Sequence, residues 1–172
     1  MKAIIPPARW AAVRLFAMDV DGILTDGTVE IHSDGTESKR FSILDGMGLV
    51  QLRKHGIETA WISGRASDAT IVRATELRIP HLVQGRIDKI TALKELAATL
   101  NLTADQIVYM GDDNIDTAAI EWAGIGVSVP DAMPEPFAAA DYITHRPAGR
   151  GAVREVCEHI LAAHGHGSPS AH

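Results

Sequence analysis

Short runs of apolar residues alternate along this chain with stretches in which apolar positions return every three or four residues. Apolar runs bounded by turn residues predict strands buried on both faces, and the longer periodic stretches predict helices. Leu15–Met18 is the first run, followed by Glu58–Ile62, His81–Val83 and Ile107–Met110; 124–129 and 141–144 are predicted as shorter strands near an edge. Helices are predicted over 46–55, 67–77, 88–100, 114–123, 132–139 and 151–163. In the third of these, Ile90, Leu93, Leu96, Ala97 and Leu100 form one apolar stripe. Strands alternating with helices in this way build a parallel sheet covered on both faces. The expected fold class is therefore α/β, a three-layer α/β/α sandwich.

One stretch breaks the alternation. Segments 28–32 and 39–43 flank Ser33-Asp34-Gly35-Thr36, where Asp-Gly is a strong turn signal. This predicts a β-hairpin inserted over about 27–43, with Val29, Ile31, Phe41 and Ile43 as apolar residues to bury. A single domain is expected over 1–163. The Gly/Ser/Pro/His-rich segment 164–172 is expected to be a flexible tail, its histidines at 164, 166 and 172 solvated rather than ligating.

Composition narrows the function classes. With 172 residues, 46% hydrophobic and 22% charged, the chain can bury a full core and is not intrinsically disordered. A net charge of −6 argues against nucleic acid as the main partner. No apolar run approaches the ~20 residues of a membrane span, and the N-terminus lacks the pattern of a signal peptide. Cys157 is the one cysteine, so no internal disulfide forms. A cytoplasmic protein without membrane contact is expected. Cys157, among Val153, Val156 and Ile160, is expected to be a buried thiol, and Trp10, Trp61 and Trp122 to be packing residues.

The candidate chemistry sits where predicted strands end. Asp19 and Asp21 close the first strand, and at i and i+2 they project in the same direction. Gly111-Asp112-Asp113-Asn114-Ile115-Asp116 follows the fourth. Acids at a helix start suit the helix dipole, which accounts for Asp116. Dipole complementarity does not account for acid-rich ends on two separate strands. Asp19, Asp21, Asp112 and Asp113 together suggest an oxygen cage for Mg²⁺, a hard cation that takes carboxylates, waters and phosphate. Donors for a phosphate are available in Ser63-Gly64-Arg65 after the second strand, where Gly64 lets backbone N–H groups come close. Lys89 follows the third strand in the same manner.

Asp19-Val20-Asp21-Gly22-Ile23-Leu24-Thr25-Asp26-Gly27, Ile62-Ser63-Gly64-Arg65, Lys89 and Gly111-Asp112-Asp113 resemble, in order, the four motifs of the haloacid dehalogenase superfamily. Leu24-Thr25-Asp26-Gly27, Asp45-Gly46-Met47-Gly48, Gln84-Gly85 and the segment Gly149-Arg150-Gly151 narrow the likeness to its phosphatases of 3-deoxy-D-manno-octulosonate (KDO) 8-phosphate, over about residues 12–163. The resemblance implies a Rossmann-like sheet and a Mg²⁺-dependent phosphatase of lipopolysaccharide precursor synthesis. It further implies Asp19 as nucleophile, Asp21 as general acid and base, and Ser63 and Lys89 as phosphoryl-binding groups. Mg²⁺ would be held by Asp19, the main chain of Asp21 and Asp112, with Asp113 in or near its shell. Gly64, Arg65, Asp45, Gly46 and Arg150 are implied at the substrate.

The gaps between these motifs leave no room for the cap domain that many superfamily members insert. The family likeness implies a homotetramer in which hairpins close neighbouring sites. Leu44 stands where many relatives have a basic residue, which keeps a nonulosonate 9-phosphate open as substrate. A non-enzymatic receiver domain, which also gathers acids and a lysine around an aspartyl-phosphate, is the alternative of another class.

Overall fold

The computed structural model describes residues 4–166. Its elements run α1 (Pro7–Ala11), β1 (Leu15–Met18), β2 (Glu30–Ile31), β3 (Glu37–Ser38), α2 (Ile43–Lys54), β4 (Glu58–Ile62), α3 (Asp68–Leu77) and β5 (His81–Val83). They continue with α4 (Lys89–Thr99), β6 (Ile107–Met110), α5 (Thr117–Trp122), β7 (Ile125–Ser128), α6 (Pro134–Ala139), β8 (Tyr142–Ile143) and α7 (Ala152–Ala163). Six strands form one parallel sheet in the order β5-β4-β1-β6-β7-β8, and β2 and β3 pair as a separate antiparallel hairpin.

Alternation along each strand divides the core into two layers. Phe16, Met18, Trp61, Val108 and Met110 face the side covered by α1, α2, α3 and α7. Leu15, Ala17, Ala60, Ile62, Ile107 and Tyr109 face α4 and α5. This is the three-layer sandwich expected from the alternation, and its sheet is Rossmann-like. Neither loop interval between the motifs holds a cap domain.

The strands of the large sheet fall where the apolar runs place them; the departures lie in short elements. The helix α1 escapes periodicity because it has five residues, and Pro6-Pro7 starts it by supplying a preset φ at its first position. The helix α2 begins at Ile43, not 46, because the Ser42 side chain accepts the Asp45 N–H and caps it. The second hairpin strand, expected over 39–43, lies instead at Glu37–Ser38, closer to the turn, and Ile43 of the expected segment opens α2; β2 and β3 have two residues each. Segment 114–123 divides into a 3-10 turn, Asn114–Asp116, and α5. His164 and His166 close the end of α7, His166 stacked on His55 at 3.9 Å between ring centroids. The rest of the expected tail, 167–172, lies outside the described residues.

Candidate active site

Strand order reverses at β1: the chain leaves it toward β4 on one side and returns to its other side as β6. The crevice at the carboxyl ends of strands at such a switch point is the usual ligand site of open α/β sheets. Asp19 follows β1 directly, Ser63 follows β4, Lys89 opens α4 after β5, and Asp112 follows β6. The topology thus brings together four residues scattered over 94 positions of sequence.

Lys89 has no exposed surface, and its Nζ lies 2.8 Å from Asp19 Oδ1 and 3.0 Å from Asp116 Oδ1. Asp116 organises this end of the site. Its Oδ1 also accepts from Tyr109 Oη at 2.7 Å, and its Oδ2 accepts the Asp112 and Asp113 amides at 3.3 and 3.2 Å. Asp19 Oδ1 accepts the Val20 amide at 2.6 Å. Carboxylate oxygens of Asp19, Asp112 and Asp116 all lie within 4.8 Å of one another. Asp112 Oδ1 is buried with no hydrogen-bond partner.

Backbone geometry makes this crowding possible. Gly22 has φ +88°, and a Cβ there would sit 2.0 Å from Asp112 Oδ2. Only glycine lets the loop after β1 pass under that carboxylate. Thr25, fully buried, pins the same loop by accepting the Gly22 and Gly27 amides on Oγ1 at 3.3 and 3.2 Å.

The electrostatics follow from packing carboxylates out of water. Burial, then the charge of Asp116, pushes Asp19 up to about 7, against the pull of Lys89. Burial, then Asp19 and Asp116, pushes Asp112 up to about 8. For Lys89 burial works against the ammonium, but Asp19 and Asp116 outweigh it and raise its pKa.

Several residues implied at the substrate have other surroundings. Asp45 is 1% exposed, and its carboxylate accepts the Gly151 amide at 3.1 Å and the Arg154 amide at 2.8 Å. It ties α2 to the start of α7 and has no open face for a ligand. Gly46 serves close packing, since a Cβ would meet Arg73 Nη2 at 2.5 Å. Arg65 is half-exposed and paired with Glu37 of the hairpin. Ser63 is buried, its Oγ donating to the Arg65 carbonyl at 2.9 Å, and Gly64 beside it is half-buried. Asp113 is exposed and caps the 3-10 turn through the Asn114 amide. Arg150 lines a cavity of about 370 Å³ with Asp26, Arg40, Phe41, Ser42 and Leu44.

Comparison with known proteins decides the family. The sequence pattern of haloacid dehalogenase-like hydrolases matches residues 58–156. A KDO 8-phosphate phosphatase of Yersinia pestis is 43% identical over 155 residues, which cover 90% of this chain and 83% of that protein. The chain belongs to the haloacid dehalogenase-like hydrolases. Within this hydrolase family, the KDO 8-phosphate phosphatase of Moraxella catarrhalis, solved with magnesium, phosphate and KDO, has a TM-score of 0.91 and 46% identity, covering 92% of this chain and 91% of that one. The cobalt-bound enzyme of Haemophilus influenzae has a TM-score of 0.88 and 34% identity, covering 91% and 92%. Family membership gives no support to the receiver-domain alternative.

Two residues at this site carry little sequence signal. Dipole complementarity alone would leave Asp116 at the surface of a helix start, yet it is fully buried and binds four donors; its place in Gly111-Asp112-Asp113-Asn114-Ile115-Asp116 is the one clue in the sequence. Lys39 arrives from the hairpin to pair with Asp21, at 2.7 Å, and no motif marks it.

Proposed function

We propose that this hydrolase is a Mg²⁺-dependent phosphatase that converts KDO 8-phosphate to KDO and phosphate through an aspartyl-phosphate on Asp19. The observation that carries the reading is the set of buried Asp19 and Lys89 with half-buried Asp112 at the switch point of the sheet.

The donor set suits a hard divalent cation, because it is all oxygen and Asp112 Oδ1 is buried without a hydrogen-bond partner. Asp116 has both oxygens engaged by four donors. The ligands would therefore be the carboxylates of Asp19 and Asp112 with the main-chain carbonyl of Asp21, and Asp113 would stand beside them. When bound, the ion would offset the charge of these carboxylates and of the phosphoryl oxygens.

The protein's own groups carry the chemistry. The Asp19 carboxylate forms a bond to phosphorus while the bond from phosphorus to the sugar oxygen breaks, and Asp21 gives that oxygen its proton. Asp21, now ionised, takes a proton from water, whose oxygen displaces Asp19 from phosphorus and releases phosphate. Lys89, with the Ser63 hydroxyl and the Gly64 amide, would neutralise and orient the phosphoryl oxygens. Arg150 and Arg40, on the rim of the 370 Å³ cavity, would meet the carboxylate of the sugar acid.

The uncapped site calls for a wall from elsewhere. Ile31 is 63% exposed and Ile43 80% exposed, so the hairpin region leaves much of its apolar surface unburied on its own domain. A homotetramer in which hairpins of neighbouring copies pack together and flank each site would cover them. No helix among the described residues is long and apolar enough to cross a membrane, and action in the cytoplasm is part of the proposal.

A panel of KDO 8-phosphate, two nonulosonate 9-phosphates and glucose 6-phosphate, each assayed for phosphate release with Mg²⁺, tests the substrate. The highest kcat/KM is expected for KDO 8-phosphate. A nonulosonate 9-phosphate in first place would overturn the substrate, and no release from any would overturn the reaction.

A further inference from the structure

Lys39 lies in none of the motifs that carry the family resemblance, yet its ammonium reaches the second aspartate of the first loop. It follows β3 immediately, and its side chain is wholly buried. The Nζ lies 2.7 Å from Oδ1 and 2.9 Å from Oδ2 of Asp21, and it donates to Thr70 Oγ1 at 3.3 Å. Removing an ammonium from water costs several kcal/mol unless a counter-ion and hydrogen bonds compensate it (about that order for real proteins). Asp21 and Thr70 provide this compensation. The Asp21 carboxylate in turn has no other ion-pair or hydrogen-bond partner among the described residues.

The hairpin is anchored on both sides of Lys39. Glu37 accepts from Ser67 Oγ and pairs with Arg65, on the loop that follows Ser63. Phe41 lies parallel to the buried Trp61, with ring centroids 6.2 Å apart. An otherwise solvent-facing insertion thereby delivers one lysine to a fixed point beside β1.

We propose that Lys39 is a positioning residue: its ammonium fixes the Asp21 carboxyl in the orientation from which a proton passes to the leaving oxygen and is later taken from water. This rests on the phosphatase reading above. An ammonium has three N–H donors, so it holds the carboxyl in both protonation states, through both oxygens of the anion or through the carbonyl oxygen of the acid. Phosphoryl transfer to Asp19 breaks the bond from phosphorus to the sugar oxygen, and that oxygen leaves as an alcohol only if Asp21 protonates it. p-Nitrophenolate leaves without a proton. A misplaced Asp21 therefore penalises the alkyl ester selectively, and a positioned acid typically contributes about 10²–10⁴-fold.

The test compares kcat/KM, which reports steps up to departure of the leaving group, for KDO 8-phosphate and p-nitrophenyl phosphate. Lys39→Met is expected to lose about 100-fold on KDO 8-phosphate and less than about tenfold on the aryl ester. Lys39→Arg should recover part of the loss, and Lys39→Met should add nothing in an Asp21→Asn background, because it acts through Asp21. Equal losses on both substrates, or an additive loss in the double variant, would overturn the proposal and leave Lys39 a structural residue. Should thermal melting show Lys39→Met unfolded, Lys39→Gln is read by the same criteria. Wild-type protein inactive on both esters would overturn the phosphatase reading itself, a failure distinct from the other two.

Discussion

Asp19, buried, and Asp112, half-buried, are held close together, and their partial withdrawal from water has a consequence for stability. Both are raised, to about 7 and about 8, by burial first and by neighbouring carboxylates second. A carboxyl whose folded pKa exceeds its unfolded value of about 4 binds its proton more tightly in the folded state. Its contribution to stability is complete below pH 4 and is lost as pH rises through the folded value. With EDTA present, this pair should therefore lower the melting temperature as pH climbs from about 6 to 8.5. Added Mg²⁺ should restore it most at the upper end, where the carboxylates are ionised. A melting temperature flat across that range, with no response to Mg²⁺ at pH 8.5, would contradict the arrangement. At this scale the acids and Lys89 were legible because each follows a strand. The tie from Asp45 to α7 was not, since its partners Gly151 and Arg154 lie over 100 residues away and are backbone amides that no side-chain pattern reveals.

Among the elements, the hairpin connects the most levels of the structure. Its turn, Asp34-Gly35, was visible in sequence, and Gly35 has φ +87° as such a turn requires. The position of its second strand was not visible: pairing stays next to the turn, Glu30 with Ser38 and Ile31 with Glu37, while 39–42 lead unpaired to the Ser42 cap of α2. A two-stranded hairpin is marginal alone in water, and this one is fastened by Glu37 and Phe41 at its base while Ile31 remains exposed. Replacing Ile31 and Ile43 together by aspartate leaves Lys39, Phe41 and Glu37 in place. The double variant is expected to run as a smaller species than wild type in light scattering coupled to size exclusion, with reduced turnover. Wild-type protein running as a monomer would remove the oligomer from the account.

For the molecule as a whole, the sheet order dictates the chemistry: one reversal at β1 converts four separate strand ends into one site. That outcome could be anticipated from the regular alternation of strands and helices, whereas the proposed closure of the site by neighbouring copies would depend on surfaces whose partners are not in the chain's own fold. Under the proposed function, substrate choice would likewise rest with Arg40, Arg150 and Leu44, which share a cavity. Phosphate release from KDO 8-phosphate with Mg²⁺ should fall to background in Asp19→Asn, in a protein that still melts cooperatively. Undiminished metal-dependent release by that variant would contradict the account.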